Sequence, residues 1–219
     1  MSTVVDPPRL ETLADAVHAL GDVPLERIVP PFGVATEEDS RRLEEGEPKR
    51  ICELVDGFLV EKPMSIRESA VATMLAGYLL AYILPRKLGT VTGEQGSMRT
   101  VAGNKRIPDV AYFSWDNLPD GKFPEGRIAE TPPDLAVEVL SDSNTAEEMA
   151  TKRREYFRSG VRLVWEIDPD DRTAVVYTTA DKGSPLAPSD FLDGGDVLPG
   201  FRIPLADIFV GLDGRPKGA

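Results

Sequence analysis

Two carboxylates stand in this sequence where strands call for apolar side chains. Asp109 follows Pro108 at the head of the apolar run 110–113, and Glu138 interrupts Leu135-Ala136-Val137-Glu138-Val139-Leu140. A carboxylate inside a covered strand has to be neutralised, paired with a cation or bound to a metal ion, because bare charge is costly away from water. Oxygen ligands with no neighbouring His or Cys suit a hard cation, Mg²⁺ or Mn²⁺. A structural arginine, Arg106 or Arg162, would also serve, and spacing alone leaves both readings open. Lys152 adds a cation to the set. Met149, Lys152 and Tyr156 share one face of the helix read over 145–159, so an ammonium group lies on an apolar stripe. Packed back on the sheet, this helix would aim Lys152 at the two carboxylates; the other reading is a snorkelling Lys152 paired with Glu148.

Positioning these groups requires a sheet and covering helices, and the chain supplies the signals for both. Asp56-Gly57 between two short apolar runs predicts a hairpin. Ser65-Ile66-Arg67-Glu68 is a capping box, and Val71, Met74, Leu75, Tyr78, Leu79 and Tyr82 keep helical spacing as far as Pro85. Strands are expected at 89–95, 97–102 and 107–114, the last two joined by a turn around Gly103-Asn104. Asn144 as N-cap and Gly160 as terminator bound the Lys152 helix, and strands at 161–167 and 173–179 flank an Asp-Pro-Asp-Asp turn. The expected class is α/β, a mixed sheet flanked by helices and spanning 51–219. Residues 1–50 read as an N-terminal helical extension and linker. Pro7-Pro8 can start a helix carrying Leu10, Leu13, Ala14, Val17 and Leu20, and Thr36 with Asp39 opens a second, solvated one.

Composition narrows the chemistry. With 219 residues, 41% hydrophobic and 28% charged, the chain suits one folded domain with an appendage. The formal net charge of −12 repels phosphates, so any contact with DNA must be local. Lys152-Arg153-Arg154 with Arg158 and Arg162 could form such a patch, or a solvated face balanced by Glu147, Glu148 and Glu155. One histidine, His18, and one cysteine, Cys52, exclude a multi-ligand zinc site and an internal disulfide, and leave a Ser/His/Asp or Cys/His triad only His18 to use. No basic segment followed by an apolar stretch opens the chain, which with the lone cysteine points to a cytoplasmic setting. The longest uncharged run, 69–85, is short for a bilayer span and reads as a buried helix, with no membrane partner expected.

Several segments, in order, carry a resemblance: Cys-Glu-Leu-Val-Asp-Gly at 52–57, Arg-Ile-Pro-Asp-Val-Ala-Tyr at 106–112, Pro-Asp-Leu-Ala-Val-Glu-Val-Leu-Ser at 133–141, Lys-Arg-Arg-Glu-Tyr-Phe-Arg-Ser-Gly-Val at 152–161 and Leu-Val-Trp-Glu-Ile-Asp-Pro at 163–169. Together they resemble the PD-(D/E)XK nuclease superfamily, and more closely its Uma-two family of restriction endonucleases. The resemblance covers about 36–209 and implies a restriction-endonuclease-like fold acting as a DNA endonuclease. It also implies that Asp109, Glu138 and the main-chain carbonyl of Val139 hold Mg²⁺ or Mn²⁺, with Glu68 as an additional acidic position. Glu68 has a structural task as well, in its capping box.

The chain departs from the pattern in two places. Leu140 stands where the signature asks for lysine, so Lys152 is the expected replacement, and Lys152→Met is expected to leave folding nearly intact while abolishing cleavage. The histidine common at the start of the first core helix is absent, and Glu68 and Ser69 occupy that region. Glu53 and Glu94 are further acidic candidates, read on strand edges. A homodimer is expected, since duplex cleavage needs two active sites or two encounters. The rival reading is a nuclease fold kept for binding or structure without turnover, and RNA remains open as a substrate.

Overall fold

A computed structural model describes residues 12–62, 65–212 and 214. Pro7-Pro8 and Leu10 lie outside the described residues, and the first helix, α1 (Leu13–Ala19), is opened by a capping box between Thr12 and Asp15. Then follow β1 (Ile28–Val29), α2 (Glu37–Glu45), β2 (Cys52–Val55), β3 (Phe58–Glu61) and the long α3 (Ile66–Arg86). Short strands come next: β4 (Gly89–Thr92), β5 (Ser97–Arg99), β6 (Lys105–Arg106), β7 (Val110–Ser114) and β8 (Ile128–Ala129). The second half contains β9 (Leu135–Val139), α4 (Ala146–Ser159), β10 (Leu163–Asp168), β11 (Thr173–Thr179), β12 (Lys182–Leu186), β13 (Phe191–Asp193) and β14 (Arg202–Pro204).

Local chemistry explains the boundaries. Asp56 and Gly57, both at positive φ, form the tight turn between β2 and β3, and Thr36/Asp39 and Ser65/Glu68 make reciprocal caps on α2 and α3. The α4 cap falls one residue later than the sequence suggests. Thr145 accepts from the Glu148 amide, while Asn144 accepts from the Ser141 amide and donates to the Glu148 carboxylate. The expected strand over 107–114 starts late, at Val110, and a separate short strand, β6, precedes it at Lys105–Arg106. Pro108 offers no amide to a ladder, so the chain ends β6 before it and begins β7 after Asp109.

The break at 107–109 matters because β6 and β7 belong to different sheets. One sheet has the order β1-β3-β2-β6-β5-β8, the other β12-β11-β10-β9-β7-β4. In the second sheet the β9–β10 pair is parallel, joined through α4, and the other pairs are antiparallel. The result is a mixed α/β fold. Side-chain alternation along β9 sends Leu135, Val137 and Val139 into the main core with Val71, Leu75, Leu79 and Ile83 of α3. Ala136 lies on the opposite face, in the cluster that includes Tyr156 of α4. By length and composition α3 could cross a bilayer, but its Val71, Leu75, Leu79 and Ile83 stripe is fully buried in this core.

The segment before Ile51 is packed on the same body. β1 adds to the first sheet beside β3, and Ala16, Leu20 and Val23 bury against Ile28, Val55, Phe58 and Val60. Gly21, at φ +87, lets the chain pass so close to α4 that a Cβ would sit 2.5 Å from the Glu148 Cα. Arg27 completes the contact with a bidentate pair to Glu148, at 2.8 and 2.9 Å, both side chains nearly inaccessible to solvent. Burial works to raise the Glu148 carboxyl, but the hydrogen bonds from Arg27 and the charges of Lys152 and Arg27 hold it below its ordinary 4.5. A depressed folded value gives stabilisation that is complete above the unfolded value and lost as pH falls through the folded one. Arg27→Met should therefore cost about 3–5 kcal/mol in urea unfolding at neutral pH, because it strands a buried carboxylate. The loss should shrink on acidification, and Arg27→Met/Glu148→Met should recover most of it.

Candidate functional site

The site forms where the chain steps from one sheet to the other. The β7–β9 register pairs Val110 with Val137, which sets Asp109 across from Glu138 on the face covered by α4. The Asp109 amide donates to the Val137 carbonyl at 2.9 Å, and the Val139 amide donates to Asp109 Oδ2 at 2.7 Å. From α4, Lys152 Nζ donates to Glu138 Oε2 at 2.9 Å, and Tyr156, one turn further on, donates to Oε1 at 2.5 Å.

Glu53 reaches the same place from β2. Its Oε1 lies 3.1 Å from Lys152 Nζ and accepts from the Ile107 amide at 3.0 Å, while its Oε2 accepts from Arg106 at 2.9 Å. Arg106 in turn spans to Glu155 with two bonds of 2.8 Å. Lys62, just beyond β3, closes the opening. Its Nζ is 3.0 Å from Asp109 Oδ1 and 3.7 Å from Glu138 Oε2, and it donates to the Ile107 carbonyl.

Glu53, Asp109, Glu138, Lys152 and Arg106 are all buried, so their charges act on one another with little screening by water. Burial works to raise Glu53, but Lys152, Arg106 and Lys62 outweigh it and hold this carboxyl well below the usual range. Glu138 is shifted the other way. Burial, with Asp109 and Glu53 nearby, raises it despite the counter-charges of Lys152 and Lys62. For Lys152, desolvation is overcome by Glu138, Glu53 and Glu148, so its ammonium stays charged well above neutrality. Tyr156, raised by burial and then by the Glu138 charge, keeps its proton for the bond it donates.

Asp109, Glu138 and Lys152 thus come together, with Val139 and Glu68 lining the same cleft. The Glu68 carboxylate caps α3, accepting from the Ser65 amide at 2.7 Å. The pairing of Lys152 with Glu148 does not form, because Arg27 takes Glu148. Neither Arg106 nor Arg162 holds the two carboxylates, since Arg106 goes to Glu53 and Glu155, and Arg162 to Asp134.

Two acidic candidates are corrected. Glu53 is on an interior strand, 2% exposed, and not on an edge; burying its charge there is offset by two cations and a backbone amide. Glu94 sits in a turn beyond β4, beside Ser69. Lys62 and Tyr156 join the site through the fold. Tyr156 shared the inward stripe with Lys152, but nothing near Lys62 in the chain marks it.

Elsewhere, Arg153 bonds Glu166 at 2.5 Å and lies over the Tyr177 ring, and Arg154 pairs with Glu147, so much of the basic run is already neutralised; Arg158 is exposed. His18 pairs with Asp22 on the exposed face of α1, and burial pushes the Cys52 thiol up to about 11, which leaves it protonated and unreactive.

Among the described residues, no three His, Cys, Asp or Glu side chains form a ready ligand set. The carboxylate pair does fit a hard cation in one respect. Asp109 Oδ1 is buried and accepts no hydrogen bond among the described residues, its near neighbour being the Lys62 ammonium. An oxygen left in that state is an available donor for Mg²⁺ or Mn²⁺.

A family model described as "Putative restriction endonuclease", Uma2, matches residues 37–206. No curated protein matches the chain. Among solved structures, a protein described as a putative nuclease belonging to DUF820, from Anabaena variabilis, aligns with a TM-score of 0.67 at 21% identity. The match covers 80% of this chain and 97% of that one, and it shows a shared fold.

The expectation that Lys152→Met leaves folding nearly intact does not hold at this degree of burial. The substitution takes a buried cation from Glu53 and Glu138 together, and should lower stability by about 3–5 kcal/mol by chemical denaturation. Tyr156→Phe, which removes one bond to a charged acceptor, should cost less, about 1.5–3 kcal/mol.

Proposed function

The chain belongs to the Uma2 restriction endonuclease family, and from that premise we propose that it is a divalent-metal-dependent DNA endonuclease hydrolysing phosphodiester bonds. The observation that carries this reading is the pair Asp109–Glu138, set opposite each other on adjacent strands, with one buried Asp109 oxygen free of hydrogen bonds. Asp109, Glu138 and the main-chain carbonyl of Val139 would hold Mg²⁺ or Mn²⁺. When bound there, such an ion supplies Lewis-acid polarisation of a phosphate oxygen and a lower pKa for the attacking water.

The remaining tasks fall to the chain's own side chains. Lys152 takes the place of the lysine missing at position 140. Held in its charged form, it acts as a fixed positive charge and not as a base, stabilising negative charge that develops on the phosphate and holding Glu138 toward the cleft. Tyr156 fixes the other Glu138 oxygen. Glu68 lines the cleft from α3, where a change in its capping bond would free a carboxylate for water or a second ligand.

DNA binding is weak and local on a chain of net charge −12, and falls steeply with salt. Incubation of the purified chain with plasmid DNA should give Mn²⁺- or Mg²⁺-dependent cleavage that is lost on chelation and in Asp109→Asn. Lys152→Met should abolish cleavage at temperatures where circular dichroism still reports a folded protein, and Leu140→Lys should not raise it. Cleavage that persists in Asp109→Asn would remove the assignment.

A second reading is favoured by Leu140 and by the internal pairing of Glu53, Asp109 and Glu138: a nuclease fold that binds without turnover. It predicts indifference of the carboxylate pair to Mn²⁺ in calorimetry. The proposal also includes a homodimer, since cutting both strands needs two active sites or two encounters. Light scattering at micromolar concentration should then give about twice the chain mass of 23.9 kDa, and a strict monomer would exclude it.

A further inference from the structure

We propose that Lys62 is the internal counter-ion of the Asp109–Glu138 pair in the metal-free protein, and that a divalent cation enters by displacing its ammonium group. This inference rests on the reading of that pair as metal ligands.

The two lysines of the cleft are held in different ways. Lys152 projects from α4, 2.9 Å from Glu138 and 3.1 Å from Glu53, and its departure would take a cation from both carboxylates. Lys62 stands at the mouth. Its backbone is fixed, its amide donating to the Ile51 carbonyl at 2.9 Å, but its side chain ends on a four-carbon stem. The ammonium sits 3.0 Å from Asp109 Oδ1 and 3.7 Å from Glu138 Oε2, within reach of both carboxylates read as metal ligands. It also donates to the carbonyl of Ile107, a bond that water can replace once the stem swings outward.

Asp109 Oδ1 supplies the second observation. It is buried without a hydrogen bond, so the geometry to Lys62 is that of a charge neighbour and not of a formed donor–acceptor bond. A monovalent ammonium and a divalent ion cannot both stand against these oxygens, since like charges at such separation repel strongly in a site screened from water. Lys62 therefore competes with the metal: it lowers the affinity for the ion while stabilising the empty site.

The test is calorimetric titration of Mn²⁺ into the full chain and into Lys62→Met, Lys62→Gln and Asp109→Asn, with thermal unfolding of each in the presence and absence of Mn²⁺. Both Lys62 variants should bind Mn²⁺ about tenfold more tightly or better. They should unfold at lower temperature than the parent chain without the ion and gain more from adding it. Equal or weaker Mn²⁺ binding in both variants overturns the proposal. If Asp109→Asn loses binding while the Lys62 variants match the parent chain, Lys62 alone is wrongly assigned. If Asp109→Asn binds as the parent does, the ligand reading itself falls, and this inference with it. Should a Lys62 variant fold only with Mn²⁺ present, the ion is replacing the lost charge, as proposed; failure of both variants to fold even with Mn²⁺ counts against it.

Discussion

Glu138 is a carboxylate in a strand covered on both faces, and most of the structure around it compensates that charge. Lys152 and Tyr156 occupy its two oxygens from α4, and the same Lys152 reaches across to Glu53 on the other sheet. Glu53 is bound in turn to Arg106 and the Ile107 amide, and Arg106 returns to Glu155 on α4. The chain of ion pairs thus runs through β2, β6, β9 and α4 and ties two sheets and a helix at one point. Buried pairs of this kind contribute little net stability against an apolar substitute, but removing one member leaves uncompensated charge. Geometry at the cleft and integrity of the fold are for this reason hard to separate at Lys152 or Glu53, and easier to separate at Asp109, whose Oδ1 accepts no hydrogen bond among the described residues.

The N-terminal segment takes part in the same arrangement at one remove. Glu148 lies four residues before Lys152 on α4, the usual distance for a helical ion pair. Arg27 holds both Glu148 oxygens, and Gly21 permits the approach that brings Arg27 there. With Glu148 occupied, Lys152 is left to Glu138 and Glu53. The docking of residues 12–29 on α4 and β3 therefore bears on the charge state of the cleft as well as on the hydrophobic face of the first sheet.

The departure at position 140 has a spatial explanation. Along β9, Ala136, Glu138 and Leu140 alternate onto the α4 face, so a lysine at 140 would project beside the cleft from the strand end. Leu140 instead lines a surface hollow with Met149 and Arg153. Lys152 delivers its ammonium to the same carboxylate from the facing helix, which the direct connection from β9 into α4 allows. The cation beside Glu138 comes from the facing helix, while the two carboxylates lie on adjacent strands.

Much of this was legible in the amino-acid order. Capping boxes at Thr36 and Ser65, the Asp56-Gly57 turn and the αL stop at Gly160 are local events, decided by residues within a few positions of one another, and they fall where the chain signals them. The oddity of Asp109, Glu138 and Lys152 was legible too, since each breaks an apolar pattern whose period is known. Which charge meets which was not. Glu53 lies in a short strand that reads as an edge until β6 pairs beside it, Lys62 carries no pattern at all, and the choice of Arg27 over Lys152 for Glu148 spans 121 residues. Local propensity acts over a few residues, whereas ion pairing acts over a few ångströms, and only the folded chain determines which distant residues those few ångströms contain.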